Sequence, residues 1–515
     1  MGECIDQRRL PGISRLFADY LYGFAKVRRF YGGAEPRLAS MLTAARQYPE
    51  DRRQAMLAAL ERQNQDPSPA TASLLRRFAE PGTVAIVTGQ QVGVAGGPLL
   101  GVHKAMTAVL LAEALRAQGV SAVPVFWLAS QDHDLAEVSQ LWTLDAASAL
   151  RHLELLLEAP ANAPVGPLQL DGGIAPLLDE LARCTGTALD DVRAAYASTA
   201  TLADAFGALL ARWFAPWGLL LFDPLRAPEA EAVWAPYYAQ VAGRQPELAE
   251  RLARRAQELQ AAGYHVQVEA ASDATLLFYT RDGARQALRA PLDAARRADI
   301  ARHPGLVSPA ALLRPVMQDV AFPTLAQVTG PAETAYLAQS AVIYEALGIP
   351  QPVVFPRASV TLLDPKAQRL LAKYQLELPE LWAEPAATLL PKRTLPASIA
   401  GRVTGMRATF DQEFGALHAE LNALDPTLID AAEGAVQKIR HQLEQLEARV
   451  ARSLARRGGE VAAHAQHLDA TLYPDRHLQE RLLAAASWTA RYPELLAVLH
   501  DQIRVFEPGH QVIGL

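Results

Sequence analysis

The sequence is poor in cysteine and has no run of closely spaced cysteines. Of its 515 residues only Cys4 and Cys184 are cysteine, and neither lies in a Cys-x-x-Cys or Cys/His pattern. Two isolated cysteines support neither a disulfide framework nor a zinc site of the usual spacing. Each is expected to be a small hydrophobic side chain rather than a nucleophile. The cysteines therefore give no reason to predict a metal site.

Long apolar runs and a strong charge of either sign are also missing. The formal net charge is −6 at pH 7. No apolar run approaches the roughly 20 residues that span a bilayer, and the first residues lack the apolar core of a signal peptide. These absences argue against nucleic-acid and membrane partners and predict a cytoplasmic protein.

A strand, a glycine-rich loop and a helix follow one another in the most informative segment. Val84–Val87 is a short apolar run typical of a buried strand. Pro98 suits the start of a helix, which we expect to run from Leu99 to about Gln118. A second apolar strand follows from Val123. The loop between Val87 and Pro98 contains the glycines Gly89, Gly93, Gly96 and Gly97.

This order is a βαβ unit, whose right-handed crossover brings the carboxyl ends of both strands to one edge of a parallel sheet. The segments Thr88–Gly97 and Ser130–Asp134 should therefore share a crevice. Such a crevice is the usual ligand site of open α/β sheets, and the free N–H groups at the start of a helix favour a phosphate or a carboxylate. The segment predicts a site for an anionic small molecule.

A second unit of the same kind begins at Thr324. The strand again ends in Val-Thr-Gly, Pro331 opens a helix that should stop at Gly348, and Pro352–Phe355 supplies another strand. Two such units predict an α/β fold with a doubly wound, Rossmann-like core. We expect a helical lead-in at about residues 1–80. An inserted region should span about 150–300, with strands at His265–Ala270, Thr275–Thr280 and Arg285–Ala290.

Beyond about residue 390 the apolar residues recur at alternating spacings of three and four. One such segment runs from Phe410 to Leu428 and another from Val436 to Val450, with Asp425-Pro426 between them. The pattern predicts an antiparallel helical hairpin or a coiled coil used in dimerisation, and solvated helices that pack on their own domain are the alternative. We place the core in residues 1–390 and an α-helical coiled-coil domain in residues 391–515.

Three motifs resemble those of one known family. They are Thr88–Gly93 with Gly96–Pro98, Pro124–Asp134, and Leu313–Asp319 with Thr329–Glu333. In this order they resemble the BshC family, the cysteine-adding enzymes (cysteine ligases) of bacillithiol biosynthesis. The resemblance implies a Rossmann-like core with an inserted connecting region, and a coiled-coil domain that supports a homodimer. It also implies a ligase that joins the carboxyl group of cysteine to the amine of glucosaminyl malate in an amide bond.

Such a ligase needs a site for anions, because malate and any nucleotide phosphate are negatively charged. The glycine-rich loop is a candidate anion cradle, although the same glycines would also allow tight packing between strand and helix. Lys104, in the following helix, would reach the crevice unless it is a solvated lysine. The candidate anion-binding residues of this segment are Thr88, Gly89, Gln90, Gln91, Gly93, Gly96, Gly97 and Lys104.

The reaction also needs a group that takes a proton from the ammonium of the amino sugar. Asp132, His133 and Asp134 place an imidazole between two carboxylates at the end of a strand. We predict His133 as the general base or as a substrate ligand, oriented by its neighbours. In the alternative interpretation, Asp132 or Asp134 only caps the following helix.

The third motif adds candidate substrate ligands. The planar guanidinium of Arg314 suits malate or phosphate, unless it forms a structural ion pair with Asp319. Glu333, in the first turn of its helix, would contact the substrate amine or only complement the helix dipole. The other candidates near this unit are Gln318, Asp319, Gly330 and Arg357.

The sequence contains no Walker Gly-x-x-x-x-Gly-Lys-Ser/Thr motif, which leaves open whether ATP or another nucleotide activates the cysteine carboxylate. Two other functions suit the same fold. One is a nucleotidyl transferase. The other is a coiled-coil dimer without catalytic activity, whose Rossmann pocket binds a nucleotide as a signal.

Overall fold

The structure is a computed structural model that describes residues 4–43, 48–197, 200–269, 271, 273–394, 397–457 and 459–515. The chain divides into two compact units. The first contains Met1–Ala146, Leu150–Leu362 and Gln479–Leu515, and the second contains Ala147–Ala149 and Leu363–Leu478. Residue 390, the predicted end of the core, lies in the second unit, and the C-terminal segment returns to the first.

The strands all begin within the first unit. They are β1 (Cys4–Ile5), β2 (Val84–Gln90), β3 (Ala122–Leu128), β4 (Gln140–Leu144), β5 (Leu150–Glu154), β6 (Leu220–Phe222), β7 (Ala274–Arg281), β8 (Ala284–Arg289), β9 (Val307–Pro309), β10 (Thr324–Thr329), β11 (Val353–Pro356), β12 (Ser359–Leu363) and β13 (His510–Gly514).

The helices of the first unit flank these strands. They are α1 (Arg15–Tyr22), α2 (Phe24–Val27), α3 (Leu38–Leu42), α4 (Glu50–Gln63), α5 (Pro69–Ala79), α6 (Leu99–Ala117), α7 (Leu135–Val138), α8 (Ile174–Thr185), α9 (Asp190–Ala195), α10 (Leu202–Trp213), α11 (Pro228–Gly243), α12 (Gln245–Ala261), α13 (Ala294–Arg302), α14 (Arg314–Ala321) and α15 (Pro331–Leu347). The second unit contains α16 (Pro365–Tyr374), α17 (Leu378–Ala383), α18 (Ala386–Arg393), α19 (Ala397–Leu424), α20 (Ile429–Arg457) and α21 (Glu460–Leu472), and the first unit closes with α22 (Gln479–Leu482), α23 (Ala485–Arg491) and α24 (Leu495–Gln502).

A five-stranded parallel sheet in the order β11-β10-β2-β3-β6 forms the centre of the first unit. Its strands are apolar on both faces, as expected for a parallel sheet covered by helices. Val84 and Ile86 pack in one hydrophobic cluster, while Ala85 and Val87 pack in another. The doubly wound α/β core that the sequence predicts is confirmed.

The strand order reverses direction between β2 and β10. From β2 the chain moves to β3 and β6 on one side, whereas β10 is followed by β11 on the other. At such a reversal the loops that leave the carboxyl ends of the two strands diverge and open a crevice. The end of β2 and the start of α15 therefore face the same space.

The inserted region contributes a small antiparallel sheet in the order β8-β7-β9. The predicted hairpin is confirmed, but the strand predicted at His265–Ala270 is wrong for residues 265–269, and Ala270 lies outside the described residues. A side chain replaces a partner strand here, because the amide of Gln339 accepts from the Val268 N–H at 3.0 Å and donates to the Val268 carbonyl at 2.8 Å.

In the second unit, α19 and α20 form an antiparallel hairpin. Arg440 pairs with Asp411 at 2.9 Å, and His418 lies 3.9 Å from Glu433. The residue numbers of the paired side chains increase along α19 while they decrease along α20. The two helices therefore run in opposite directions. The hairpin predicted around Asp425-Pro426 is confirmed. None of the described helices is long and apolar enough to cross a membrane.

Candidate active site

A cavity of about 670 Å³ opens at the carboxyl ends of β2 and β10 in the first unit. Parts of the glycine-rich loop, the segment after β3, the hairpin β7–β8 and the start of α15 line it. The predicted site residues that line the cavity are Gly89, Gln90, Gln91, Lys104, Asp132, His133, Arg314, Gly330, Glu333 and Arg357.

The other predicted residues do not line the cavity, and they are Thr88, Gly93, Gly96, Gly97, Asp134, Gln318 and Asp319. Thr88 donates to the Val328 carbonyl at 3.0 Å within the sheet. Asp134 caps α7 by accepting from the Glu137 N–H at 3.1 Å, as the alternative interpretation predicts. Gln318 is buried on α14, and Asp319 accepts a hydrogen bond from Tyr344.

The later glycines of the loop pack against protein rather than the cavity. Tyr196 accepts from the Gly96 N–H at 3.0 Å and donates to the Gly93 carbonyl at 2.7 Å. A Cβ atom on Gly96 would lie 2.7 Å from the Trp213 ring. Glycine is needed at this position for close packing and for a φ of +81°, not for approach to an anion.

Replacing Gly96 with alanine is expected to lower the free energy of unfolding by about 2–4 kcal/mol, from the left-handed backbone and the overpacking together. Gly119 is a matched control, because it has a φ of +82° but nothing within 4 Å of a Cβ atom. Gly119→Ala should cost only about 1–2 kcal/mol. Urea unfolding measures both, and equal losses would contradict the packing role of Gly96.

Lys104 is a buried cation at the cavity wall, not a solvated helix lysine. Its side chain is 4% exposed, and its ammonium lies 2.5 Å from a Glu333 carboxylate oxygen. It also donates to the Gly89 carbonyl at 2.8 Å and to Gln90 Oε1 at 3.0 Å. The lysine thereby connects the end of β2 to the first turn of α15.

Glu333 links this lysine to the third motif. Its Oε2 accepts from the Gly330 N–H at 2.8 Å, and Arg314 lies 3.7 Å from its Oε1. The ion pair that Arg314 makes is thus with Glu333 and not with Asp319. Burial alone would raise the pKa of the Glu333 carboxyl, but the charges of Lys104 and Arg314 outweigh burial and lower that pKa. Burial, in turn, lowers the pKa of Lys104.

The cavity is also lined by His133 and by Arg285, an arginine that no sequence motif indicates. Arg285, on β8, donates from Nη1 to His133 Nδ1 at 3.2 Å. Its Cζ atom lies 3.9 Å from the centre of the Phe278 ring, and burial lowers the pKa of its guanidinium to about 10. Asp132 Oδ1 accepts from the His133 backbone N–H at 2.7 Å.

A buried ion pair connects the cavity lining to the C-terminal segment Gln479–Leu515. Arg357 donates to both carboxylate oxygens of Glu480, at 2.8 and 2.7 Å, and both side chains are almost fully buried. Glu480 also accepts from Ser359 at 3.1 Å and from the Val360 N–H at 3.0 Å, and it lies 3.0 Å from His103 Nδ1. Burial would raise the pKa of Glu480, but Arg357 and His103 hold it well below its usual range.

Glu137 is another cavity residue missed by sequence reasoning. It stands on the short helix α7, and Gln91 Nε2 donates to its Oε2 at 3.1 Å and lies 3.4 Å from Asp132 Oδ2. Desolvation, with the charges of Asp132 and Asp134, raises the pKa of Glu137. Its position one turn after the Asp-His-Asp segment was the one available signal in the sequence.

No group of three or more His, Cys, Asp or Glu side chains that could hold a metal ion occurs in the described part of the chain. The cavity instead combines several cations with a few carboxylates. Such a set can bind a substrate that carries both carboxylate and ammonium groups.

Comparison with known proteins identifies the family. Residues 3–358 match the model described as "Bacillithiol biosynthesis BshC, N-terminal Rossmann-like domain", and residues 360–515 match "Bacillithiol biosynthesis BshC, C-terminal coiled-coil domain". Proteins named "Putative cysteine ligase BshC" from Solibacter usitatus and Koribacter versatilis are each 37% identical to this chain, over 99% of both sequences.

A protein of the same name from Salinibacter ruber is 32% identical over 97% of this chain and 96% of its own length. These comparisons do not favour the nucleotidyl transferase or the binding protein without catalytic activity. The two matched domains follow one another along nearly the whole sequence, and the resemblance noted in the motifs is confirmed. The chain therefore belongs to the BshC family of bacillithiol biosynthesis.

Proposed function

We propose that the protein is a ligase that joins the carboxyl group of cysteine to the amine of glucosaminyl malate and so forms bacillithiol. The observation that carries the proposal is the match to both BshC domains, together with full-length relatives named as cysteine ligases. The cavity supports it, because it combines cationic and anionic side chains at the ligand-binding edge of the core sheet.

The cations of the cavity suit the carboxylates of the substrates. Arg285 has no carboxylate within ion-pair distance among the described residues, and Arg314 lies no closer than 3.7 Å to its partner Glu333. A guanidinium in this situation gains most from a ligand carboxylate, since a poorly compensated buried charge is costly. We assign the malate carboxylates to these two arginines.

The carboxylates of the cavity suit the amine. Forming the amide joins the cysteine carboxyl carbon to the sugar nitrogen, releases the carboxyl oxygen with its activating group, and removes two protons from the ammonium. Asp132 and Glu137, held by the amide of Gln91, can bind that ammonium. The raised pKa of Glu137 also makes it a stronger proton acceptor than an ordinary carboxylate.

Mass spectrometry of purified protein incubated with cysteine and glucosaminyl malate tests the function. We expect bacillithiol only when both substrates are present, and parallel incubations with and without ATP or another nucleoside triphosphate identify the activating co-substrate. Pyrophosphate release that does not depend on cysteine would indicate a nucleotidyl transferase instead. Absence of bacillithiol with every donor would contradict the proposal.

We also propose that the protein is a homodimer formed through its coiled-coil domain. Large apolar side chains stay exposed along α19 and α20, and several recur at the heptad spacing of a coiled coil. Light scattering should give twice the mass of the 55.7 kDa chain, and a monomer at micromolar concentration would contradict the proposal. The exposed residues are Met406, Leu417, Leu424, Ile439 and Leu446.

A further inference from the structure

We propose that Arg285 holds His133 as a neutral hydrogen-bond donor, whose Nε2–H is offered to an anionic oxygen of the substrate. His133 then acts as a substrate ligand and not as the general base. The inference deepens the proposed function and rests on it for the nature of the substrate. Arg285 is a positioning residue in this account, because it acts through the histidine.

The guanidinium of Arg285 is fixed on several sides. Its Nε donates to Ser308 Oγ at 2.8 Å, and its Nη2 donates to the Pro309 carbonyl at 2.6 Å. The ring of Phe278 packs against its face, and Arg285 as a whole residue is 9% exposed. The direction of the remaining Nη1–H bonds is thereby set by β7 and β9, independently of the histidine.

A fixed guanidinium leaves the imidazole only one tautomer that fits. Arginine can donate hydrogen bonds but cannot accept them. Nδ1 of His133, 3.2 Å from Nη1, must therefore present its lone pair, and the ring proton must lie on Nε2. The opposite tautomer would place two N–H groups against each other at that distance.

The same geometry argues against a base at this position. The lone pair on Nδ1 is already engaged by Arg285, and in this tautomer Nε2 carries a hydrogen and has no lone pair to offer. No hydrogen bond from Nε2 occurs within the described ranges, and His133 lines the cavity. The free Nε2–H is thus available to a bound ligand.

The substrate oxygen that accepts the hydrogen bond from the His133 Nε2–H should carry negative charge. Arg285 brings a positive charge beside the ring without a carboxylate in ion-pair range, which favours an anion at this wall. A substrate carboxylate, or the oxygen that becomes negative as the amide forms, has the matching chemistry. Asp132 Oδ1 fixes the backbone of the histidine by accepting from the His133 N–H, and it lies 3.9 Å from Nδ1, beyond hydrogen-bond distance.

Nitrogen NMR of histidine-labelled protein tests the tautomer without any substrate. We expect the His133 signal, assigned by its loss in His133→Gln, to show Nε2–H in the wild-type protein. Arg285→Met should release Nδ1 and give a mixture of tautomers. Arg281→Met, an exposed arginine on the same hairpin, is the control and should leave the signal unchanged. An Nδ1–H tautomer or a mixture in the wild type would overturn the inference.

Steady-state kinetics of variants at His133 distinguishes a hydrogen-bond donor from a general base. Glutamine places an N–H close to the position of Nε2 but cannot take up a proton. Alanine has neither a side-chain N–H nor a proton acceptor. We expect His133→Ala to lower kcat/KM by about 10²–10³-fold, as for loss of one donor to an oxyanion. His133→Gln should stay within about tenfold of the wild type.

A His133→Gln variant as inactive as His133→Ala would overturn the donor role. If the wild-type protein makes no bacillithiol, the proposed function is contradicted and the kinetic comparison cannot be made. The tautomer measurement then still decides the inference about Arg285 and His133, so the two failures can be told apart.

Discussion

Replacing Glu480 with glutamine is expected to lower the free energy of unfolding by about 3–5 kcal/mol, the usual cost of breaking a buried ion pair by removing one partner. The substitution leaves the Arg357 guanidinium buried without its counter-charge. It also weakens the hydrogen bonds that the carboxylate accepts from Ser359 and the Val360 N–H. Urea unfolding at pH 7 measures the loss.

An exposed ion pair provides the control. Glu250 pairs with Arg254 at 2.8 Å, and both side chains are more than half exposed. Glu250→Gln should change stability by no more than about 1 kcal/mol. A similar small change in Glu480→Gln would show that Glu480 does not stabilise the core.

The effect of Glu480 should also depend on pH. Its folded-state pKa lies below the unfolded value, so the folded state binds fewer protons than the unfolded one near acid pH. The stabilisation is therefore complete at neutral pH and is lost as the pH falls through the folded-state pKa. The stability difference between wild type and Glu480→Gln should shrink below about pH 5.

Replacing Lys104 with methionine is expected to destabilise the protein by about 3 kcal/mol and to impair the proposed ligase activity. The carboxylate of Glu333 would keep the Gly330 N–H, but its nearest cation would be the more distant Arg314. The Gly89 carbonyl and Gln90 would each lose a donor. Breaking a buried ion pair by removing one partner costs about 3–5 kcal/mol. We expect the lower end of that range, because the Glu333 side chain is 20% exposed and retains one cation.

A double-mutant cycle isolates the contribution of the pair. Adding Glu333→Gln to Lys104→Met removes the unpaired carboxylate, so the double variant should lose less stability than the sum of the single variants. Lys373→Met, which breaks an exposed pair with Glu460, is the control for a lysine that is not buried. Strict additivity of Lys104→Met and Glu333→Gln would contradict coupling between them.

Local patterns were sufficient to predict the core sheet and the edge that carries the cavity. Apolar runs followed by Gly and Pro mark β2, α6, β10 and α15, because strand burial and helix initiation depend on neighbouring residues. Lys104 was predicted from its position on such a helix. The sequence could not show whether Gly93, Gly96 and Gly97 contact a ligand or pack against protein, because both arrangements favour glycine.

Partners distant in the sequence could not be predicted. Arg285 is 152 positions from His133 and Glu480 is 123 positions from Arg357, and no periodicity links such residues. Their pairing follows from where the inserted hairpin and the last segment dock on the sheet. The assignment of His133 as base or ligand likewise depended on a neighbour that only the structure identifies.

The return of Gln479–Leu515 to the first unit affects how the protein folds during synthesis. Glu480 and β13 leave the ribosome only after the whole of Leu363–Leu478 has been made. At roughly 5–20 residues per second, this delay is on the order of 10 s. Until then Arg357 has no counter-ion from Glu480, and the nascent core cannot complete its charge network. A shortened chain that ends before residue 479 would stay in this unfinished state permanently.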